Sequence, residues 1–369
     1  MKLVISHRTL LNLIGKIQSV VPTKPALPIL NNVLLEAKHD QLILTATDLT
    51  LSAQVFGDAE VQAEGAMTIP AKTFFQLVRE LRASDVEIHA QTPETAFINS
   101  GASHFKLSGM NKSEFPTFPD MNEAVQIEID AKLLREMLTR CAFAAARDDN
   151  RQVLNGILLE HKDGVATFIG TDGKKLARIY TEVKLPEGHT ASYVIPLKAV
   201  EEIIKLMDTK EAGCKLSLMP DKIGVEIGAA TLVMKLLNGQ YPDVNRVMPK
   251  KADHPLALHR EEMMSLLRQI SLFAEGQNHA IRCTFAPGEL HLSAMHGSVG
   301  EGKVSMPVNY SGDKMDVAFN PNFFLEILKH CKDDVVNFSL IDAFNPFLIT
   351  DSTTASFVLM PMRLEHANS

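Results

Sequence analysis

The sequence predicts an α+β fold built from three tandem copies of one domain, and two recurring landmarks carry that prediction. The first is a short alternating strand that runs directly into an amphipathic helix. It occurs at Leu3–Val21 (LVISHRTLLNLIGKIQSVV), Gln126–Arg147 (QIEIDAKLLREMLTRCAFAAAR) and Leu256–Phe273 (LALHREEMMSLLRQISLF), so that Ile5, Ile129 and Leu258 take equivalent places about 125 residues apart. The second is a strand end followed by a proline and a helix. It occurs at Thr68–Leu81, Val194–Met207 and Ala318–Cys331, with Ile69, Ile195 and Phe319 on the same period.

The helix of each first landmark repeats its apolar residues at steps of three and four. Leu10, Leu13, Ile14, Ile17 and Val21 do so in the first copy, Leu133, Leu134, Met137, Leu138, Cys141 and Ala145 in the second, and Met263, Met264, Leu267 and Ile270 in the third. Lys132, Arg135 and Arg140 occupy the other side of the middle helix, so one face seeks a core and the other is basic. In the first copy, Pro22, Pro25 and Pro28 stiffen the next loop and expose Lys24. Alternation then predicts strands at Val33–Glu36, Gln41–Thr47 and Leu49–Phe56, and later at Val86–His89, Ala96–Ser100 and Phe105–Ser108. The second copy has a charged loop at Arg147–Gln152, a hairpin of Val153–Glu160 with Val165–Thr171, and a turn at Thr171–Leu176 with two lysines at its solvated tip. Phe115-Pro116 and Tyr241-Pro242 stand one period apart in proline-broken crossings, which places domains at 1–124, 125–251 and 252–364, with 365–369 as a tail. In the third copy, Met360, Pro361 and Met362 follow the last strand, where flexible methionines suit an adaptable groove.

Length and composition fit this division. The 369 residues, 46% of them apolar, allow three cores of ordinary size. The four cysteines, Cys141, Cys214, Cys283 and Cys331, are scattered without a C-x-x-C pair, as expected of reduced cytosolic thiols rather than a disulfide frame or zinc site. No signal-peptide pattern or membrane-length apolar run is seen, and the expected location is cytoplasmic. The net charge is −7, yet helices predicted at 8–20, 72–83, 132–147, 197–207, 260–273 and 322–332 hold 15 Lys and Arg against 7 Asp and Glu. That segregation predicts a basic working surface on an acidic protein.

Catalytic chemistry is not legible. The segment Gly297–Val304 has the glycine and lysine spacing of a phosphate-binding loop. However, Val304 replaces the magnesium-binding hydroxyl, Glu301 opposes phosphate, and a strand rather than a helix follows. The histidines show no paired metal spacing, and no G-x-S-x-G occurs. Asp48 and Asp172 both follow threonine, 124 positions apart, and are expected to make turns by accepting backbone hydrogen bonds. No catalytic residue, metal or cofactor is predicted. A nucleotide-handling enzyme around 297–303 and a sequence-specific DNA regulator are the competing readings, and the second lacks a recognition-helix motif.

LPILNN at 27–32, TDG at 171–173, YPD at 241–243 and the terminal VLMPMRL resemble the bacterial β sliding clamps, the processivity subunits of the DNA polymerase III holoenzyme. The resemblance covers residues 1–364. It implies a homodimer ring of six domains around duplex DNA, with antiparallel sheets outside and two helices per domain facing the hole. It also implies no catalysis, and partners that include replicative polymerase, clamp loader and repair proteins bound through short linear peptides.

Matching motifs place the partner-peptide site at Leu154, Thr171, Gly173, Lys174, Lys175, Leu176, Pro242, Arg246, Val247, Asn320, Phe344, Val358, Met360, Pro361, Met362 and Arg363. DNA contacts fall to Lys24, Lys72, Arg147, Arg151 and Gln152. Lys24 and Lys72 stand where that family commonly has arginine, and Asp148 and Gln152 where it often has glutamine and tyrosine. The resemblance gives Phe105 of one chain against Leu272 and Phe273 of the other as dimer contacts.

Overall fold

The computed structural model describes residues 1–183, 190–207, 213–249, 256–274 and 279–362. Strand endings double as helix beginnings, because the last strand residue often supplies the cap. The Ser6 hydroxyl accepts from the Thr9 amide (3.1 Å), the Asp130 carboxylate from Leu133 (2.8 Å) and the Asn320 side chain from Asn322 (2.9 Å).

The first copy contains β1 (Lys2–Ser6), α1 (His7–Ile17), β2 (Asn32–Lys38), β3 (Gln41–Thr47), β4 (Leu51–Asp58), β5 (Glu60–Ala63), β6 (Gly65–Pro70), α2 (Ala71–Glu80), β7 (Asp85–Thr92), β8 (Thr95–Ser100) and β9 (Ser103–Ser108). The second contains β10 (Val125–Asp130), α3 (Ala131–Ala142), β11 (Gly156–Lys162), β12 (Val165–Thr171), β13 (Lys175–Glu182), β14 (Ala191–Pro196), α4 (Leu197–Leu206), β15 (Gly213–Leu218), β16 (Lys222–Ile227) and β17 (Ala230–Lys235). The third contains β18 (Leu256–His259), α5 (Arg260–Ser271), β19 (Ile281–Ala286), β20 (Glu289–His296), β21 (Gly300–Pro307), β22 (Met315–Phe319), α6 (Pro321–His330), β23 (Val335–Ser339), β24 (Phe347–Thr350) and β25 (Ser356–Leu359).

The strands form four antiparallel sheets, and copies share them. One eight-stranded sheet runs β10-β15-β16-β17-β4-β3-β2-β6, joined by β17 against β4; another runs β14-β11-β12-β13-β25-β24-β23-β18, joined by β13 against β25. The end sheets, β5-β1-β7-β8-β9 and β21-β20-β19-β22, are not fused in this way. Contacts therefore divide the chain into two units that split the middle copy. The first holds Met1–Glu136, Val183–Glu187 and Lys198–Leu237, and the second Met137–Glu182, Gly188–Leu197 and Asn238–Ser369.

Within the first unit α1 packs on α2 and on β4, burying Leu10, Leu13, Ile14 and Ile17. Within the second, α5 packs on α6, and a cluster of Phe285, Phe319, Phe324, Phe338 and Phe347 fills the third copy. Its ring centroids lie 4.8–6.4 Å apart in stacked and edge-on pairs.

The helices stop earlier than their apolar pattern suggests. α3 ends at Ala142 rather than Arg147, because the amides of Ala144 and Ala145 bond three residues back and that of Ala146 turns to the Leu154 carbonyl. β12 also crosses so close that a side chain on Gly170 would meet the Cys141 carbonyl at 2.3 Å. The helices as formed carry 12 Lys and Arg against 7 Asp and Glu, since Arg82, Arg147 and Lys332 lie beyond their ends. Arg140 also departs from expectation. It is buried, with its guanidinium on Asp351, Thr353 and the His330 carbonyl, because its position borders the apolar seam. Val153–Asn155, predicted as strand, belongs to a single 3-10 turn at Gln152–Asn155 that tucks Leu154 inward. Phe115, in a predicted linker, is buried with Ile29 and Leu30.

Candidate functional site

The site is built on the turn that joins β12 to β13. The Thr171 hydroxyl donates to the Lys175 carbonyl (2.7 Å) and accepts from the Gly173 amide (3.0 Å), while one Asp172 oxygen accepts from the amides of Lys174 (2.8 Å) and Lys175 (2.9 Å). Thr47 and Asp48 make the same four bonds in the first copy, at 3.1, 3.1, 2.9 and 2.7 Å. Both aspartates thus have the turn-making role expected of them. At Asp48, burial raises the carboxyl pKa, but bonds from Lys198, Thr50 and the turn amides outweigh it, and the net shift is downward. The residue after each aspartate has positive φ, +84° at Gly173 and +74° at Leu49. The glycine suits this backbone and leaves space, since a Cβ there would approach Arg151 Nη2 to 3.3 Å.

Gly173 lines a cavity of about 200 Å³ wholly within the second unit. Leu154, Thr171, Gly173, Lys175, Leu176, Pro242, Val247, Val358 and Met360 line it, nine of the sixteen residues expected at the partner site. Backbone pairing sets two walls, with Leu176 opposite Val358 and the Met360 amide donating to the Lys174 carbonyl (3.0 Å). The volume lies below the roughly 300–1,000 Å³ of small-molecule sites, and suits one or two apolar side chains of a peptide better than a cofactor.

Six expected residues lie off this lining. Lys174 is exposed, its Nζ 5.9 Å from the Phe323 ring, and Arg246 pairs with Asp243 at 3.1 Å. Asn320 caps α6, and Phe344 is 88% exposed on a turn held by Asp342. Pro361 is half-buried, and the Met362 amide donates to the Ala318 carbonyl (2.8 Å) beside β22. Arg363 lies outside the described residues, as does the 365–369 tail.

Sequence reasoning missed several participants. Val244 and Asp243 join the lining; the YPDV run could have suggested them. Arg151, assigned to DNA, also lines the cavity, held by two bonds of 3.0 Å to Asp149, which lower the Asp149 carboxyl to about 2. Lys175 is not a solvated tip. It is buried, with Nζ 2.8 Å from Asp172 and 4.6 Å from the Phe323 ring centroid. The Glu326 carboxylate lies 3.2 Å from the same Nζ, outside hydrogen-bond alignment. An alternating sequence gives no sign of this, because the burial comes from α6, some 150 residues later in the chain.

The other assigned residues are placed separately. Lys24, Lys72, Arg147 and Gln152 are exposed, on the loop after α1, on α2, after α3 and in the 3-10 turn respectively. Phe105 is 37% exposed on β9, Leu272 is 66% exposed just after α5, and Phe273 is half-buried. The lookalike phosphate loop is a hairpin tip leading into β21. All four cysteines are buried and free, and burial raises each thiol, Cys214 and Cys331 to about 12, so none is poised as a nucleophile. Among the described residues no group of three or more His, Cys, Asp or Glu could hold a metal ion, and no helix is long and apolar enough to cross a membrane.

Three family models match the chain in succession: the DNA polymerase III beta subunit N-terminal domain over residues 1–119, its central domain over 128–243 and its C-terminal domain over 245–363. The beta sliding clamp of Chlamydia pneumoniae is 48% identical over 364 residues, covering 99% of both chains. That of Haemophilus influenzae is 29% identical over 368 residues, covering 99% of this chain and 100% of its own. The crystal structure of the DNA polymerase III subunit beta from Pseudomonas aeruginosa has a TM-score of 0.94 at 27% identity. A sliding clamp from Bartonella birtlesii bound to griselimycin has a TM-score of 0.94 at 28% identity. Both comparisons cover 99% of this chain and 100% of the other.

Proposed function

The chain belongs to the DNA polymerase III beta subunit family, sliding clamps of three tandem domains that bind DNA and partner proteins and act as processivity factors without catalysis of their own, and from that premise we propose how it works. Two copies close head to tail into a ring around duplex DNA, and partners dock by short peptides in the cavity beside Gly173. The domains run 1–124, 125–251 and 252–364, and the protein works in the cytoplasm.

One observation carries the ring. β4 and β13 occupy the same place in the first and second copies, and each pairs with the last strand of the following copy, β17 and β25. β21 holds that place in the third copy and β9 is the last strand of the first, and both are sheet edges. Joining β9 of one protomer to β21 of the next continues the pattern and closes it after two chains. Phe105, Leu272 and Phe273 then meet at the junction.

DNA is held without reading bases. Lys24, Lys72, Arg147, Arg151 and Gln152 meet phosphates through charge and hydrogen bonding, which supports sliding, and topology rather than affinity provides retention. The cavity takes a leucine or phenylalanine of replicative polymerase, clamp loader or repair proteins. Burying one such side chain supplies about 1.5–3 kcal/mol, enough for partners to exchange when polar anchors add to it.

Primer extension on a singly primed circular template, with polymerase III and its loader, tests this function. Adding the protein lengthens the products of a single binding event. Unchanged product length, with a loader shown to be active, would refute it.

A further inference from the structure

We infer that the first copy contains a counterpart of the peptide cavity that the chain fills with its own side chains, and that Leu49 is the residue that closes it. This inference rests on the docking reading above, and it identifies what keeps partner peptides out of the first copy.

The two places correspond residue by residue, and the first-copy positions all fall within the first unit. The Thr47-Asp48 turn repeats the bonds of the Thr171-Asp172 turn. Beyond it, β4 pairs with β17 as β13 pairs with β25, so Ser52 opposite Val233 stands for Leu176 opposite Val358, and Leu51 for Lys175. The Lys235 amide donates to the Thr50 carbonyl (2.8 Å) as the Met360 amide does to that of Lys174, which equates Lys235 with Met360. A 3-10 turn at Pro28–Asn31 precedes β2 as the one at Gln152–Asn155 precedes β11, which equates Leu30 with Leu154 and Leu27 with Arg151. Phe115-Pro116 and Tyr241-Pro242, one period apart, equate Phe118 with Val244.

What differs is bulk. Gly173 has no side chain, and a Cβ built on it would lie 3.3 Å from Nη2 of Arg151, another lining residue. Leu49 has nearly the same φ, carries that Cβ, and extends an isobutyl group beyond it toward the place held by Leu27. Phe118, half-buried, is larger than Val244.

Left-handed backbone is sterically costly for leucine. The turn bonds explain the conformation but not the residue, since Gly173 takes the same bonds without that cost. The side chain's own packing supplies the reason. Although it sits at a turn tip, Leu49 buries more than half of its surface, and the walls around the corresponding place, Leu30, Leu51 and Val233, are apolar and buried. Leu49 and Phe118 thus stand where a partner's leucine or phenylalanine stands in the second copy, and exposed Lys235 puts a charge where Met360 offers an apolar wall.

Titration calorimetry of the full chain with a synthetic peptide carrying a Leu-Phe anchor counts the sites. The wild-type chain should bind one peptide, and Leu49→Gly combined with Phe118→Val and Lys235→Met should bind two. Adding Gly173→Leu to that variant should bring the count back to one, with the peptide now in the first copy. A folded triple variant that still binds one peptide overturns the inference. Thermal unfolding of Leu49→Gly alone decides the matter even where the triple variant fails to fold. Glycine relieves the left-handed strain, so a leucine that merely projects into solvent predicts a higher melting temperature, whereas a packed plug predicts a lower one. A rise therefore overturns the plug while leaving the docking reading intact. A wild-type chain that binds no peptide overturns the docking reading itself, and the inference with it.

Discussion

Arg140 and Asp351 form a buried ion pair, with Nη2 2.5 Å from Oδ2. The carboxylate also accepts from Thr353 and from the Lys332 amide, and the guanidinium lies 5.5 Å from the Phe357 ring centroid. Removing one partner strands the other charge in the interior. Arg140→Leu should therefore cost about 3–5 kcal/mol, and Arg140→Leu with Asp351→Leu should cost much less. Thermal unfolding of the three chains measures the difference.

Acid should weaken the second unit in two steps. Burial lowers the pKa of His330, whose ring stacks on Phe143 at 4.0 Å, so its contribution is complete above the ordinary value of 6.5 and declines as pH falls below it. Burial raises the Asp351 carboxyl, but bonds from Thr353 and Lys332 and the charge of Arg140 outweigh this and lower it overall. Its contribution is complete above 3.8 and is lost as pH falls through the lower folded value. Melting temperatures from pH 7 to 3 should fall in both windows, and His330→Phe should remove the upper decline.

Pocket affinity depends on apolar burial. Met360 is half-buried on the cavity wall, so Met360→Ala should fold normally while weakening a labelled partner peptide roughly tenfold, the equivalent of about 1.4 kcal/mol. Fluorescence anisotropy reads this directly, and unchanged affinity would place the peptide elsewhere.

Gly173 and Leu49 hold the same left-handed backbone, but only the glycine is free of the steric penalty. Gly173→Val should lose about 1–2 kcal/mol of stability and crowd Arg151. Peptide binding should fall with it. Calorimetry and anisotropy on one preparation separate the two effects.

Phosphate contacts predict a salt signature. If Lys72 meets a phosphate, Lys72→Ala should reduce the slope of log affinity against log salt on short duplex DNA by about 0.9, with no change in base preference. An unaltered slope would remove Lys72 from the DNA surface.

Local chemistry was the legible part of this chain. The two recurring landmarks located the six helices of the described residues, with starts within about one residue, because caps such as Ser6 and Asn320 are coded next to the turns they close. The Thr-Asp turns were readable for the same reason. Helix ends were not: α3 stops at Ala142 because Gly170, distant in sequence, lies against its last turn. The fates of Arg140 and Lys175 were hidden likewise, since Asp351 and α6 arrive from the far end of the chain. The joining of copies through β4 with β17 and β13 with β25 is equally non-local. Two of the cavity's twelve lining residues depend on it, as that pairing sets Val358 opposite Leu176 and Met360 beside Lys174.

Retention on circular DNA tests the topological claim most directly. The labelled protein is loaded by a clamp loader with ATP onto nicked circular duplex, the circle is cut, and bound protein is followed over time. A closed ring predicts long retention on the intact circle and rapid loss from the cut ends. Equal retention before and after cutting would mean that direct affinity holds the protein, and would contradict encirclement.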